Sequence, residues 1–417
     1  MSSAPTSPAA TTTPALGGVW ADLVGQSHAV DTLRRAVAAA HHREGSARHA
    51  MTHAWLVTGP PGSGRSNAAV AFAAALQCSR GGCGECNDCR TTMARAHPDV
   101  TVVRTEKLSI GVDEVRSLVR AAAMNPSAGR HQIVIVEDAD RVTERGADAL
   151  LKSIEEPAPR TVWVLCAPTP DDVVVTIRSR CRSLHLATPS DEAVATLLQT
   201  RDGIDAAVAA YAARAAQGHI GRARALARNE DARNRRNEVL RLPGSLTSVG
   251  ACLIAADNLV KATAEDAAQA TSGWDAKERA ELELSLGFGT KGARPKHAAA
   301  ALKELEDQQK ARAKRIQRDS LDRVLTELTG YYRDVLGLQT GALSAHLETD
   351  ANYVGANGAH LINAEHRDQL AGLARSSTPE QTLRRIDAIL ACREALEANV
   401  SALLALEAMM VQLANPR

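Results

Sequence analysis

Four of the eight cysteines lie within residues 78–89, with the spacing C-x4-C-x2-C-x2-C. Short CxxC turns can direct several sulfurs at one tetrahedral ion, and Zn²⁺ held by four thiolates is the usual closed structural site. Gly81, Gly82 and Gly84 allow the tight turns that such a module needs. An iron–sulfur cluster would use the same ligands, but it would need a redox role that nothing else in the sequence supports. The predicted ligands of a structural zinc ion are Cys78, Cys83, Cys86 and Cys89.

Residues 59–66 read Gly-Pro-Pro-Gly-Ser-Gly-Arg-Ser, which follows the phosphate-loop pattern G-x-x-x-x-G-K-[ST] except at the lysine. In that pattern backbone N–H groups wrap the phosphates, and the next helix directs its positive end at them. The lysine position holds Arg65, whose planar guanidinium is bulkier than an ammonium group. The alternative is a glycine-rich turn that binds nothing. The residues of this degenerate nucleotide site are Gly59, Gly62, Gly64, Arg65 and Ser66, and binding of ATP with Mg²⁺ is left open.

The acidic pair Glu137-Asp138 ends a predicted strand at residues 133–136. ATPases with a phosphate loop carry the order Asp-Glu here, with the Asp beside magnesium and the Glu activating water. The reversed order changes the reach of each carboxylate, and a misplacement of about 1 Å can cost roughly a hundredfold in rate. We therefore predict that the chain's own ATP hydrolysis is weak or absent. The alternative is a pair of solvated acids at a strand end.

Several buried runs alternate with helical segments and position these motifs. Helices are predicted within residues 19–45 and over 67–77, 112–124 and 147–154. The predicted strands are residues 54–57, 101–103, 133–136, 162–165 and 184–186. Strands that alternate with helices predict a parallel sheet with helices on both faces, hence an α/β core of the phosphate-loop type.

After residue 190 the pattern becomes helical throughout. We predict a disordered tail at residues 1–18, an α/β domain at 19–189, a small helical domain at 190–235 and a larger one at 236–417. The last helix has Thr378 as its cap, Pro379 at its first position and Gln381 to complete a capping box. Its apolar spacing predicts that it continues to Met410. Residues 287–297 are glycine-rich and basic and predict an exposed loop.

The composition limits the class of protein. Lys and Arg total 49 against 48 Asp and Glu in 417 residues, a net charge of +1, so any nucleic-acid contact must be local or shared with partners. The start of the chain lacks the pattern of a signal peptide, and no apolar stretch is long enough for a bilayer. Clustered CxxC cysteines in a large chain favour an intracellular metal site over disulfides. We therefore predict a cytoplasmic location with no membrane contact.

Five stretches resemble the delta-prime family of the bacterial DNA polymerase III clamp loader, within the AAA+ proteins. The resemblance covers residues 19 to about 230 well and the rest only by pattern. It rests on residues 22–26 (Asp-Leu-Val-Gly-Gln), the cysteine cluster with residues 97–99 (His-Pro-Asp), 149–157 (Ala-Leu-Leu-Lys-Ser-Ile-Glu-Glu-Pro), 176–181 (Thr-Ile-Arg-Ser-Arg-Cys) and 218–224 (Gly-His-Ile-Gly-Arg-Ala-Arg).

The resemblance implies an AAA+ core with a zinc insert, a helical lid and a helical collar that assembles with sister subunits. It implies that Arg180 is an arginine finger, which reaches a neighbouring subunit's ATP and stabilises the transferring phosphate in trans. It places a sensor-like arginine at Arg222, one position after the one expected, where Gly221 stands. The implied partners are the gamma/tau and delta subunits, with the sliding clamp and primer-template DNA reached through the complex at the nucleoid.

Two other functions remain open. One is an active ATPase of the gamma/tau type, which shares the zinc insert but keeps the Lys and Asp-Glu motifs. The other is a zinc-bearing phosphate-loop protein of DNA repair. An ATPase assay on the isolated chain tests the first, and co-purification with clamp-loader subunits tests the second.

Overall fold

A computed structural model describes residues 17–42, 47–105, 109–286, 298–343 and 360–415. Most of the predicted tail and the predicted loop at 287–297 lie outside these residues. The described chain forms two compact units, the first ending at Ala227 and the second beginning at Arg228. The finer division into three domains stays a prediction.

The first unit is built on a five-stranded parallel sheet. Its strands are β1 (Ala54–Thr58), β2 (Val100–Val103), β3 (Gln132–Val136), β4 (Thr161–Ala167) and β5 (Arg182–His185). Their order across the sheet is β2-β3-β4-β1-β5, and every neighbouring pair is parallel. The predicted α/β fold class is confirmed. Because the strands are parallel, the segments that follow β1 and β3 leave the sheet at the same edge, which brings the phosphate loop and the acidic pair to one side.

Nine helices surround the sheet or follow it in the described part of this unit. They are α1 (Ser27–Ala40), α2 (Arg65–Gln77), α3 (Asn87–Met93), α4 (Val112–Ala122), α5 (Glu144–Glu155), α6 (Val175–Arg178), α7 (Asp191–Thr200), α8 (Ala206–Ala216) and α9 (Ile220–Arg228). Successive strand residues face opposite sides, so Trp55 and Val57 pack with α1 and α2 while Leu56 packs with α4 and α5. Both faces of the sheet are therefore covered, as parallel sheets require.

Helix α2 connects the two motifs with chemistry. It begins at Arg65 in the phosphate loop and ends at Gln77, directly before Cys78. Every residue from Ala68 to Gln77 is buried, because most of these side chains are small enough for the helix to be enclosed on all sides. Whatever binds at either end is thus attached to the least accessible helix of the unit's core.

The second unit is helical throughout its described residues. Its helices are α10 (Glu230–Ser245), α11 (Val249–Ser285), α12 (Ala298–Gln339), α13 (Arg367–Ser376), α14 (Pro379–Glu397) and α15 (Ala402–Ala414). Their apolar faces share one core that includes Leu325, Tyr332, Ile389 and Met410. The helices thus pack into a single layered bundle.

The start of the last predicted helix is confirmed, and its continuation is wrong. Thr378 Oγ1 accepts a hydrogen bond from the backbone N–H of Gln381 at 3.3 Å, and the Gln381 side chain bonds back at 3.1 Å. The helix ends at Glu397, and α15 begins at Ala402. Asn399 between them has φ 61°, a left-handed conformation that asparagine tolerates and that terminates a helix.

No helix among the described residues combines the length and the apolar character needed to cross a bilayer.

Candidate metal centre and nucleotide-like site

The four predicted zinc ligands come together. Their sulfur atoms all lie within 4.8 Å of one another, with Cys78 Sγ 3.6 Å from Cys83 Sγ and 3.7 Å from Cys86 Sγ. A tetrahedral Zn²⁺ with bonds of about 2.3 Å separates its sulfurs by about 3.8 Å. None of the four forms a disulfide. The donor set and its spacing therefore fit one closed zinc site.

Hydrogen bonds from backbone N–H groups stabilise the thiolate form of some of these cysteines. Cys83 Sγ accepts from the N–H of Cys86, and Cys86 Sγ accepts from the N–H of Cys89, each at 3.4 Å. Burial opposes ionisation of Cys78, but hydrogen bonds from backbone N–H groups outweigh it and lower its pKa to about 6. Similar bonds lower the pKa of Cys83. A cation can replace protons most readily at these two sulfurs.

Burial has the opposite effect on the other two ligands. It raises the pKa of Cys86 and raises that of Cys89 further, because their charged forms lose solvation. Without a cation these thiols hold their protons at neutral pH. Metal binding must therefore release protons here, as at other thiolate sites.

The cysteine module is fastened to the start of the described chain. The N–H of Val19 donates to the carbonyl of Gly82 at 3.1 Å, and Trp20 is 2% exposed. Gly82 has φ 104°, and a Cβ there would lie 2.7 Å from Val19 and 3.1 Å from the Trp20 indole nitrogen. The glycine is therefore required both by its own backbone and by the close approach of residues 19 and 20.

The phosphate-loop residues form a tight turn between β1 and α2, and another part of the unit lies on top of it. Gly62 has φ 83°, and a Cβ there would lie 2.6 Å from His219 Cα and 2.2 Å from its ring carbon Cγ. His219 precedes α9, where its Nδ1 accepts from the N–H of Arg222 at 3.2 Å. The predicted sensor residue Arg222 thus lies in the first turn of α9, next to the residue that covers the loop, and it is half-buried.

Arg65 turns back onto the loop. Its Nη1 donates to the carbonyl of Gly59 at 2.8 Å. Burial lowers the pKa of this guanidinium, against the attraction of Cys166, Asp140, Asp138 and Asp172. The Arg65 side chain thus binds a carbonyl of its own loop, and the acidic residues named above attract its charge. Ser66 follows in the first turn of α2, half-buried.

The acidic pair is divided between two environments. Glu137 is 8% exposed, and its Oε1 lies 2.7 Å from Nη2 of Arg95. Asp138 precedes a short 3-10 helix, Ala139–Arg141, and is half-buried. Burial raises the pKa of the nearby Asp140, and the charge of Asp138 adds to this rise. Glu137 is therefore paired with Arg95, whereas Asp138 and Asp140 act electrostatically on Arg65.

The loop is also tied to the end of β5. Gln26 is 3% exposed; its Nε2 donates to the carbonyl of Ala187 at 2.7 Å, and its Oε1 accepts from the Ala187 N–H at 3.1 Å. The same Nε2 lies 3.4 Å from the carbonyl of Ser63. Asp22 forms an ion pair with Arg201, the residue that follows α7. Residues 22–26 therefore connect the phosphate loop to the helices that follow β5.

Arg180 lies apart from this group of residues. It follows α6 with a side chain 41% exposed, and its Nε is 2.5 Å from Glu155 Oε1 at the end of α5. Its Nη1 donates to the carbonyl of Thr176 at 2.9 Å. The neighbouring Cys181 is half-buried, and burial raises its thiol pKa to about 12. The Arg180 side chain is thus accessible, whereas Cys181 packs against the core of the unit.

Two residues at the nucleotide-like site escaped the sequence patterns. Arg95 has no motif of its own, and its φ of 59° gives no sequence signal because non-glycine residues seldom adopt it. His219 lies within a stretch noted for its arginines, but its approach to Gly62 depends on tertiary packing. Only the glycine at 62 hinted that something comes close to the loop.

Comparison with known proteins agrees with these features. The family described as DNA polymerase III, delta subunit, matches residues 36–190. The DNA polymerase III subunit delta' of Pseudomonas aeruginosa is 40% identical over 159 residues, which are 37% of this chain and 47% of that protein. The subunit delta' of Escherichia coli is 34% identical over 152 residues, 35% of this chain and 46% of that protein.

A related subunit is also similar. The DNA polymerase III subunit gamma/tau of Mycobacterium tuberculosis is 34% identical over 166 residues, 39% of this chain and 27% of that protein. The chain spans about half the length of the delta' relatives it matches. Residues 36–190, which the family matches, contain the sheet, the phosphate loop, the cysteine module and Arg180. Over residues 36–190 the chain is therefore similar to the delta' subunits of DNA polymerase III.

Proposed function

We propose that this chain is the delta-prime subunit of the clamp loader of the replicative DNA polymerase III. In this role it helps to load the sliding clamp on primed DNA, in a complex with gamma/tau and delta subunits in the cytoplasm. Support comes from the similarity to delta' proteins and from the AAA+-like sheet with its cysteine module. Contact with clamp and primer-template DNA would occur through the complex.

We infer that the subunit acts as a rigid arm that donates Arg180 to a neighbouring ATP site. The observation that carries this proposal is the contrast between two arginines. Arg180 is 41% exposed and held by a surface ion pair with Glu155, whereas Arg65 is bonded to its own loop at Gly59. Exposed ion pairs contribute about 0–1 kcal/mol, so Arg180 can exchange Glu155 for a phosphate at little cost.

The chain's own nucleotide site is proposed to hydrolyse ATP weakly or not at all. Arg65 replaces the loop lysine, and Glu137 is already paired with Arg95. Because Glu137 Oε1 is paired with Arg95, only the other carboxylate oxygen is free of that ion pair for a magnesium ion. The backbone of the loop remains in place, so binding of ATP with Mg²⁺ is compatible with the site. Arg222 is proposed as a sensor-like residue beside it.

Structural zinc in the cysteine module is part of the same proposal. Sulfur spacing of 3.6 and 3.7 Å and four free thiols support it. Bound zinc would neutralise the thiolates and hold the module closed. The residues that hold it would be Cys78, Cys83, Cys86 and Cys89.

The helical second unit is proposed as the assembly domain. Large apolar side chains remain exposed there, including Val249, Ile254 and Leu404 at 62%, 64% and 60%. Exposed apolar residues in this number favour contact with other proteins. This supports a collar that assembles with sister subunits.

The Arg180 proposal is tested in a reconstituted loader that contains the Arg180→Ala chain. Loss of an arginine finger costs roughly 10³-fold in GTPases, so we expect a marked loss of clamp-stimulated ATP turnover by the neighbouring subunit and slower clamp loading. Zinc content and assembly should remain normal. Arg116→Ala is the matched control, because Arg116 is also an exposed arginine with a surface ion pair but lies on a different helix, α4. Unchanged turnover in an intact complex would show that Arg180 is only a surface residue.

A gamma/tau-type ATPase is the second candidate, and one observation favours it. The Mycobacterium tuberculosis gamma/tau subunit is 34% identical over 166 residues, against 159 for the Pseudomonas aeruginosa delta' subunit. The two candidates differ in ATP turnover by the isolated chain, which is high for a motor subunit and negligible for the proposed role.

A further inference from the structure

The cysteine module and the acidic end of β3 are connected through one residue. Arg95 lies just beyond α3, and its Nη2 is 2.7 Å from Glu137 Oε1. The glutamate side chain is only 5% exposed, whereas that of Arg95 is 42% exposed. The arginine therefore reaches from the surface to a nearly buried carboxylate in a different motif.

Helix α3 is the physical link between the two. Cys86 is its N-cap and Cys89 lies in its first turn, so two of the four sulfurs are fixed at one end. Seven residues of helix span about 10 Å. At the other end the N–H of Arg95 donates to the carbonyl of Thr92 at 2.9 Å, and that of Ala96 donates to Thr91 at 2.8 Å. These bonds hold Arg95 in the left-handed conformation, φ 59°, from which it reaches Glu137.

The side of α3 away from solvent is fixed as well. Cys89 and Thr92 are fully buried, and Cys89 lies 3.9 Å from the carbonyl of Ala74 in α2. The helix can therefore move only if the cysteine module opens or the core yields. A short, anchored helix transmits the state of one end to the other.

We propose that Arg95 is a positioning residue through which the cysteine module holds the Glu137 carboxylate, so that loss of metal from the module loosens the acidic end of β3. The proposal rests on the zinc site proposed above for its metal dependence, but the role of Arg95 does not require a metal. A nearly buried carboxylate without its partner is costly, because little water reaches it to replace the guanidinium. The zinc module then has an effect on the nucleotide-like site in addition to its own folding.

Hydrogen exchange of the full chain, followed by mass spectrometry, tests the proposal. The Glu137 N–H donates to the carbonyl of Val103 at 2.9 Å, so it reports on the end of β3. In zinc-loaded Arg95→Met, we expect exchange at residues 132–142 to rise by about tenfold while residues 78–93 stay protected. Arg90→Met is the matched control, because Arg90 lies exposed on the same helix. It should leave both regions unchanged.

Glu137→Gln separates the charge from the packing. A neutral amide has no uncompensated charge to bury, so chelation of zinc should speed exchange at residues 132–142 in the wild type and much less in Glu137→Gln. Equal effects of chelation in both would overturn the link, as would normal protection of residues 132–142 in zinc-loaded Arg95→Met. If elemental analysis finds no zinc in the wild type, the metal centre fails, but the Arg95→Met result still decides the role of Arg95.

Discussion

The two ends of α2, about 20 Å apart along 13 residues, differ in how their polar groups are used. At the C-terminal end Gln77 accepts from the N–H groups of Arg130 and His131 at 2.7 and 3.1 Å and donates to the His131 carbonyl at 2.7 Å. Four sulfurs gather directly beyond it. At the N-terminal end Arg65 bonds to its own loop, and the buried hydroxyl of Ser63 has no hydrogen-bond partner among the described residues.

The difference teaches that a loop can keep its shape after its side chains have changed. The glycine at 62 is required because His219 lies against it, whether or not a phosphate ever binds. The glycines of the loop therefore indicate only the shape of its backbone, whereas the side chains at 65, 137 and 138 indicate whether the site can hydrolyse ATP. At the cysteine module, geometry and chemistry cannot be separated, because the ligands themselves hold the turns together.

The largest expected effect follows from removing a zinc ligand at the C-terminal end of α2. Cys86→Ser should abolish binding of one zinc per chain and unfold residues 78–95, because structural zinc contributes about 10–16 kcal/mol in small zinc domains. The sheet should persist, because the core on its other face, shared with α4 and α5, contains none of the four cysteines. Elemental analysis and circular dichroism measure the two results. Cys181→Ser, which changes a half-buried thiol outside the cluster, is the control, and zinc retained by Cys86→Ser would contradict the proposed ligand set.

An intermediate effect is expected where the cysteine module rejoins the sheet. Asp99 is 2% exposed and accepts from Ser127 N–H at 2.7 Å, Ala128 N–H at 2.8 Å and Gly129 N–H at 2.5 Å. Burial opposes its ionisation, but these bonds outweigh burial and lower its pKa from 3.8 to about 2. The charged form therefore stabilises the folded state by about 2 kcal/mol above pH 4, and this contribution is lost as the pH falls through 2.

Asp99→Asn should lower the Tm of the first unit at pH 7 by about 4–8 °C, because an amide nitrogen would face N–H donors. The gap to the wild type should shrink between pH 4 and pH 2, as the unfolded and then the folded carboxyl group takes up a proton. Scanning calorimetry measures both. Asp113→Asn, at a carboxylate 92% exposed, should change little. A gap of the same size at pH 7 and pH 3 would show that the charge of Asp99 is not responsible.

The smallest effect is expected at the phosphate loop, at the N-terminal end of α2. The purified chain should show negligible ATP turnover, and Arg65→Lys alone should not create it. Restoring the lysine leaves Glu137 bound to Arg95 and His219 against Gly62. A coupled assay of ATP hydrolysis measures both chains. Turnover like that of a motor subunit, in either of them, would favour the gamma/tau-type candidate and remove the contrast between the two ends of α2.

The sheet and its helices could be predicted because their signals are local. Four of the five strands are short, largely apolar runs, whereas β5 buries only Leu184. Their alternation with helices predicts the parallel arrangement. The cysteine site was predictable for the same reason, since all its ligands lie within residues 78–89. The end of the helix after Thr378 was missed, because the apolar spacing continues across Asn399 while the backbone turns left-handed there. Arg95 and Glu137 are 42 positions apart, and no local pattern connects them.

The packing of Trp20 on the cysteine module has a practical consequence. Among the four tryptophans, Trp55 and Trp163 lie within the sheet and Trp274 lies 66% exposed in the second unit, whereas Trp20 contacts Gly82 of the module. The Arg34 guanidinium lies 6.0 Å from the Trp20 ring centre. The fluorescence of an indole depends on its polarity and charge surroundings. The unmodified chain therefore carries an optical reporter beside its candidate metal centre, and metal loading can be followed through the fluorescence of Trp20 in real time.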